Sequence, residues 1–280
     1  MTRAAGQRCP EPSNGASLET STLDRNRLVH GRRCSDSSTR HIQFRMSLYI
    51  QITKRCNMSC NHCSFSCGER GPDMDAAIFR RVLELSKREE TPITLGGGEP
   101  TLHPLFMDFL WWSIRAKAAL TYELGMPAVG LVTNGSRTAV ALELAALAKV
   151  GVICASVSRD EFHDPIDPQV FRAFEPSKQP GDYRRINTLG LIVPAGRAKR
   201  WGNHPFRQCV CDGPFVTPTG DLYSCGCRLR KLGHAADTAL RLPEEWRDMI
   251  CPNEQPLFER GPTLGDGAAP SLRNLHCESG

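Results

Sequence analysis

The chain has 280 residues, 40% hydrophobic and 23% charged, with 13 cysteines and a formal net charge of +5. That length suits one large domain or a domain plus an appendage, and no apolar run approaches the roughly 20 residues needed to span a bilayer, which excludes a helical membrane protein. The opening lacks the basic, apolar and small-residue succession of a signal peptide, so a reducing, cytoplasmic location is expected. There, clustered thiols bind metal more often than they pair as disulfides.

Residues 1–45 hold eight arginines against four acidic residues and are rich in Ser, Gly and Thr without helical or strand period. They read as a disordered tail that carries most of the excess charge. A nucleic-acid arm is the alternative, but the arginines are scattered, aromatics are nearly absent, and the body is close to neutral. Ser47–Thr53 (SLYIQIT) alternates and is β-branched enough for a strand. Asp73 or Asp75 can cap a helix whose apolar face is Ile78, Val82 and Leu85. Ile93–Leu95 predicts a short strand running into Gly96, Gly97, Gly98, Glu99 and Pro100. Leu105–Leu120 predicts a helix in which Trp111 and Trp112 pack, with His103 ahead of it as a structural cap. Val129–Thr133 predicts a strand, Thr138–Val150 an Ala/Leu helix, Val152–Val157 another strand, and Leu189–Val193 a further one. Cys154 reads as a small buried hydrophobe, and Arg184, Arg185, Lys199 and Arg200 as a solvated basic face.

Strands alternating with helices imply a parallel sheet, and the polar and Gly-rich residues recur just after strands. In a βα barrel those positions converge on the C-terminal face, where active sites are built. The regular pattern stops near residue 200. A compact Cys-rich stretch follows, with strands at Val216–Thr217 and Leu222–Ser224 around a Pro218–Asp221 turn. The expected organisation is therefore a tail over 1–45, an α/β core over 46–200, a Cys-rich hairpin module over 201–250, and a flexible Pro/Gly-rich end over 251–280.

Eight cysteines fall into two groups of four. Cys56, Cys60 and Cys63 sit on a loop directly after the first strand, with Cys67 behind them. Three close soft thiolates suit an iron–sulfur cluster whose fourth iron lacks a protein ligand. With Cys67 included, the alternative is a closed four-cysteine zinc or electron-transfer site. The glycines at 96–98 also permit a phosphate cradle, but neither a G-x-G-x-x-G spacing nor a P-loop Lys-Ser/Thr is present. Cys209, Cys211, Cys225 and Cys227 flank the hairpin and form the second group, a four-thiolate site for an iron–sulfur cluster or zinc.

The C-x3-C-x2-C spacing, Gly97-Gly98-Glu99-Pro100, Thr133-Asn134-Gly135, the polar set Ser156, Ser158 and Asp160, and Gly196-Arg197-Ala198 resemble, in order, the radical S-adenosylmethionine (SAM) enzymes over about residues 47–200. The resemblance implies a partial (β/α)6 TIM-like barrel. Cys56, Cys60 and Cys63 would hold a 4Fe-4S cluster, with SAM chelating the open iron and yielding a 5′-deoxyadenosyl radical that abstracts hydrogen from substrate. It further implies that Gly97, Gly98 and Glu99 receive the SAM amino group. Asn134, Ser158, Asp160 and His62, which stands where an aromatic is usual, contact the rest of SAM. His163 is a candidate substrate contact, and no catalytic residue is assigned, because the radical forms on SAM. The second cysteine group resembles a twitch or SPASM extension, which implies an auxiliary 4Fe-4S cluster. Expected partners are a peptide or small-molecule substrate and an electron donor such as flavodoxin or ferredoxin, without membrane or nucleic acid. The contrasting reading is a non-catalytic zinc-binding interaction or nucleic-acid module.

Overall fold

The computed structural model describes residues 47–188, 195–201, 213–228 and 230–242, all within the unit Ile42–Gly280. The tail, the strand expected at 189–193, Cys209 and Cys211, and the end expected over 251–280 lie outside the described residues.

Strand β1 (Leu48–Thr53) buries both of its faces: Leu48, Ile50 and Ile52 on one, Gln51 and Thr53 on the other, all fully inaccessible. Burial on both sides is the mark of a strand inside a helix-covered parallel sheet. Helix α1 (Ala76–Arg88) begins where the Asp75 carboxylate accepts from the Ala77 amide at 2.7 Å, and it turns Phe79, Val82, Leu83 and Leu85 inward. Strand β2 (Ile93–Gly97) follows.

The helix expected over Leu105–Leu120 is two helices, α2 (Phe106–Ala116) and α3 (Ala118–Leu124). The break falls at Lys117, whose φ of −104° and ψ of 6° leave the helical region. Its ammonium is buried and donates to the Ser86 carbonyl at 2.7 Å on α1. Trp112 packs between Phe79 and Phe109, as expected, but Trp111 is 44% exposed on the outer side of α2.

Strand β3 (Val129–Thr133) and helix α4 (Thr138–Lys149) lie where the pattern predicts them. Strand β4 (Cys154–Ser158) starts two residues later than expected, and Cys154 at its head is half-buried rather than buried. Helix α5 (Pro168–Phe174) and strand β5 (Arg184–Asn187) were not predicted. The cap signal for α5 was present: Asp167 accepts from Gln169 N at 2.9 Å with Pro168 in the first turn. Arg184 is not on a solvated face. Its guanidinium is 10% exposed, pairs with Asp182 at 2.5 Å and donates to the Ala173 carbonyl at 2.7 Å.

Strands β6 (Phe215–Val216), β7 (Asp221–Tyr223) and β8 (Lys231–His234) complete the set. The sheet order is β5-β4-β3-β2-β1-β6-β7-β8. Neighbours from β5 through β6 are parallel, whereas β7 pairs antiparallel with both β6 and β8. The fold is a mixed α/β partial barrel, and the expected hairpin extends the same sheet, because β6 pairs with β1 (Tyr49 with Phe215, Ile50 with Val216). The main core lies between one face of the sheet and the helices. No described helix is long and apolar enough to cross a membrane.

Candidate metal and cofactor centre

The chain leaves β1 into a loop that carries Cys56, Cys60, Cys63 and Cys67. Its stem is closed by backbone bonds, Cys56 N to Gly68 O at 2.8 Å and Gly68 N to Lys54 O at 3.2 Å. All four thiols are free; Cys56 and Cys67 are buried, while Cys60 and Cys63 are half-buried. Amide donors are aimed at two of the sulfurs. Met58 N lies 3.4 Å and Asn134 Nδ2 3.9 Å from Cys56 Sγ, and Cys67 N lies 3.3 Å from Cys63 Sγ. Donors turned toward sulfur are what a sulfur carrying negative charge requires, so the donor set fits an iron–sulfur group. The thiols differ in acidity: a hydrogen bond with Cys67 lowers Cys63 to about 5, whereas burial lifts Cys60 to about 11.

Three other segments grip this loop. Leaving β2, Gly98 N donates to Thr53 O and Glu99 N to Arg55 O, each at 2.8 Å. A Cβ at Gly98 would stand 2.3 Å from the Arg55 oxygen and 2.8 Å from Cys56 Cβ, and one at Gly97 would stand 2.5 Å from the Thr53 oxygen. The glycines were expected to admit a cofactor; the close approach they demonstrably permit is to the root of the cysteine loop. Glu99 is fully buried. Its Oε1 accepts from Thr101 N (3.2 Å), Thr101 Oγ (2.6 Å) and Thr133 Oγ (2.8 Å), and its Oε2 from Asn134 N (2.6 Å). The carboxylate expected to meet an ammonium thus accepts from four donors of the protein itself, locking the β2 loop to the β3 loop. Burial nevertheless pushes its pKa up.

From the β3 loop, Asn134 Nδ2 also donates to Asn57 Oδ1 at 3.1 Å. The third grip is Gly196-Arg197: Arg197 N donates to Cys63 O (3.0 Å), its Nε to Cys60 O (3.0 Å) and its Nη1 to Cys67 O (2.5 Å). Gly196, at φ +55°, has no room for a side chain, since a Cβ would stand 2.4 Å from the Ser64 oxygen. Arg200 reaches Asn61 on the same loop.

At the rim, His163 Nδ1 lies 2.7 Å from Asp160 Oδ1, and His62 Nε2 lies 4.0 Å from Asp160 Oδ2. Burial lowers His62; burial raises Asp160, but His163 and the Phe162 amide outweigh it and hold the carboxyl below its usual range. His62 Nδ1 and Arg197 Nη2 are buried without a partner among the described residues. Ser158 is half-buried at the end of β4, whereas Ser156 Oγ is spent on the Leu131 carbonyl at 3.4 Å. His103 is a structural cap as expected, with Nε2 3.0 Å from Met74 O and Nδ1 accepting from Leu105 N at 3.0 Å. The expected first group, Cys56, Cys60, Cys63, Gly97, Gly98, Glu99, Asn134, Asp160, His62 and His163, is thus brought to one end of the sheet.

The second group is described only in part. Cys225 is buried and Cys227 half-buried. Gly226 between them faces Phe65 of the first loop, 3.7 Å from a Cβ built on the glycine. Phe65 stacks on Phe215 with centroids 5.0 Å apart and tilts against Tyr49 at 5.8 Å. Two contributors escaped the sequence reading. Arg197 was noted only as part of a motif, and Gln51 was passed over, although a Gln in the middle of an apolar strand is itself a signal of a buried polar partner.

Residues 50–174, which run from β1 through the cysteine loop to α5, match the model of the Radical SAM superfamily. The chain is 35% identical, over 40% of its length and 30% of the relative's, to the tungsten-containing aldehyde ferredoxin oxidoreductase cofactor-modifying protein of Pyrococcus furiosus. It is 32% identical, over 36% of its length and 25% of the relative's, to the mycofactocin maturase MftC of Mycobacterium tuberculosis. The chain therefore spans about a third or less of these relatives. Among solved structures it resembles BtrN in complex with AdoMet and 2-DOIA, at 14% identity and a TM-score of 0.46, covering 69% of this chain and 79% of that one.

Proposed function

We propose that this chain is a radical SAM modifying enzyme: Cys56, Cys60 and Cys63 hold a 4Fe-4S cluster, and Gly97, Gly98, Asn134, Ser158, Asp160 and His62 surround SAM. The observation that carries the reading is the set of three free thiols on one loop, gripped from β2, β3 and Gly196-Arg197. With cluster and SAM bound, the pair supplies a 5′-deoxyadenosyl radical for hydrogen abstraction. The protein's own part is placement. Glu99 fixes the β2 and β3 loops to each other, and Asn134 and Met58 N steady the Cys56 sulfur. Asp160 orients the His163 ring toward the rim, where a peptide, cofactor precursor or other small molecule would present its C–H bond. A second cluster on Cys209, Cys211, Cys225 and Cys227 would assist, with electrons arriving from flavodoxin or ferredoxin.

Anaerobic reconstitution with iron and sulfide tests this. The expected protein is brown and releases 5′-deoxyadenosine from SAM under dithionite, and alanine at Cys56, Cys60 or Cys63 abolishes both colour and product. A colourless protein that retains only zinc overturns the reading.

A further inference from the structure

Cys67 has no part in a three-cysteine cluster site, yet it is 1% exposed and packs with Cys56 and Met58 directly behind the loop. Ser66, at φ +53°, turns the chain sharply enough that the Cys67 amide reaches back to Cys63 Sγ at 3.3 Å. A non-glycine residue is rarely held in that conformation unless the surroundings enforce it. The Cys67 thiol is itself in hydrogen-bond contact with the Cys63 sulfur. On its far side, Gln51 Nε2 points at Cys67 Sγ from 3.6 Å. Gln51 is fully inaccessible, and its Oε1 has no partner among the described residues. A buried amide held with one end unsatisfied is costly. Its satisfied end is spent on a sulfur.

We propose that Cys67 is a positioning residue, not an iron ligand: it donates through both its amide and its thiol to the Cys63 sulfur, and Gln51 orients it from behind. This rests on the cluster assignment above. Hydrogen bonds to a ligating sulfur favour the more negatively charged, reduced state, so they raise the reduction potential. Arg197 holds the other side of the same turn through the Cys63 and Cys67 carbonyls, so the two sulfurs stay in register.

The test uses the reconstituted full chain. Cys67→Ala is expected to keep the iron content and SAM affinity of the parent, while the reduction equilibrium of the cluster shifts about tenfold toward the oxidised state, which for a one-electron couple is about 59 mV. Cys67→Ser, which restores a donor, should recover most of that shift, and Gln51→Met should give a smaller shift of the same sign. Cys67→Ser and Gln51→Met keep the question answerable if the alanine variant fails to fold. An unchanged potential in the variants that fold reduces Cys67 to packing and overturns the proposal. Loss of iron in Cys67→Ser or Cys67→Ala, or a parent-like protein that binds no SAM until Cys67 is removed, makes it a ligand and also overturns it. If the parent chain takes up no cluster at all, the cluster assignment itself falls, a result distinguishable from both.

Discussion

Glu99 and Lys117 are both charged and both buried, and they are treated in opposite ways. Glu99, at the loop end of the sheet, accepts from four donors on two loops. Lys117, at the junction of α2 and α3, donates to one carbonyl, and burial lowers its pKa to about 7, with Lys87 adding to the effect. A buried carboxylate with a full partner set organises its neighbourhood, whereas a buried ammonium with one acceptor is a cost that packing elsewhere must offset. The difference separates the end of the fold that carries the cysteine loop from the side that only has to pack.

Removing the organiser should hurt most. Glu99→Ala leaves four buried donors without an acceptor and is expected to lower stability by roughly 3 kcal/mol or more. Denaturant melts should show this, together with loss of iron uptake on reconstitution; a melt within error of the parent would mean water replaces the carboxylate. Lys117→Met should act in the other direction. The folded-state pKa lies below the ordinary Lys value, so between about pH 7 and pH 10 the unfolded chain binds more protons and stability rises with pH. The penalty is therefore fullest at or below about pH 7. Methionine should raise stability there by about 1 kcal/mol or more and flatten the rise. A gain independent of pH would show that the ammonium is hydrated. Thr133→Val removes a single donor from Glu99 and should cost about 0.5–1.5 kcal/mol, with cluster uptake retained; a loss as large as that of Glu99→Ala would mean the four bonds act as one unit.

The elements that were legible in the chain are those with strong apolar period. Val129–Thr133 was predicted to its ends, and α4 nearly so. What escaped is polar or short. Strand β5 reads Arg-Arg-Ile-Asn, and no alternation marks it. The α2–α3 break depends on where Lys117 finds an acceptor, which is α1, some thirty residues back. At the site, the cysteines, glycines and Asn134 were visible as types and spacings. The direction of their contacts was not: nothing local says that Gly98 clears the Arg55 carbonyl or that Arg197 ties together Cys60, Cys63 and Cys67. Those are encounters between distant segments, set by the order of strands in the sheet.

That order has a consequence for how the molecule is made. Strand β1 launches the cysteine loop, and its second neighbour is β6, the residues Phe215 and Val216. During synthesis β1 therefore remains an open sheet edge until about three quarters of the chain has emerged, with fully buried positions such as Ile50 and Gln51 waiting for cover. A chain cut short before Phe215 would present that edge, and the base of the cysteine loop beside it, to other molecules, so the short hairpin that begins at Phe215 acts as the cover that completes the first strand.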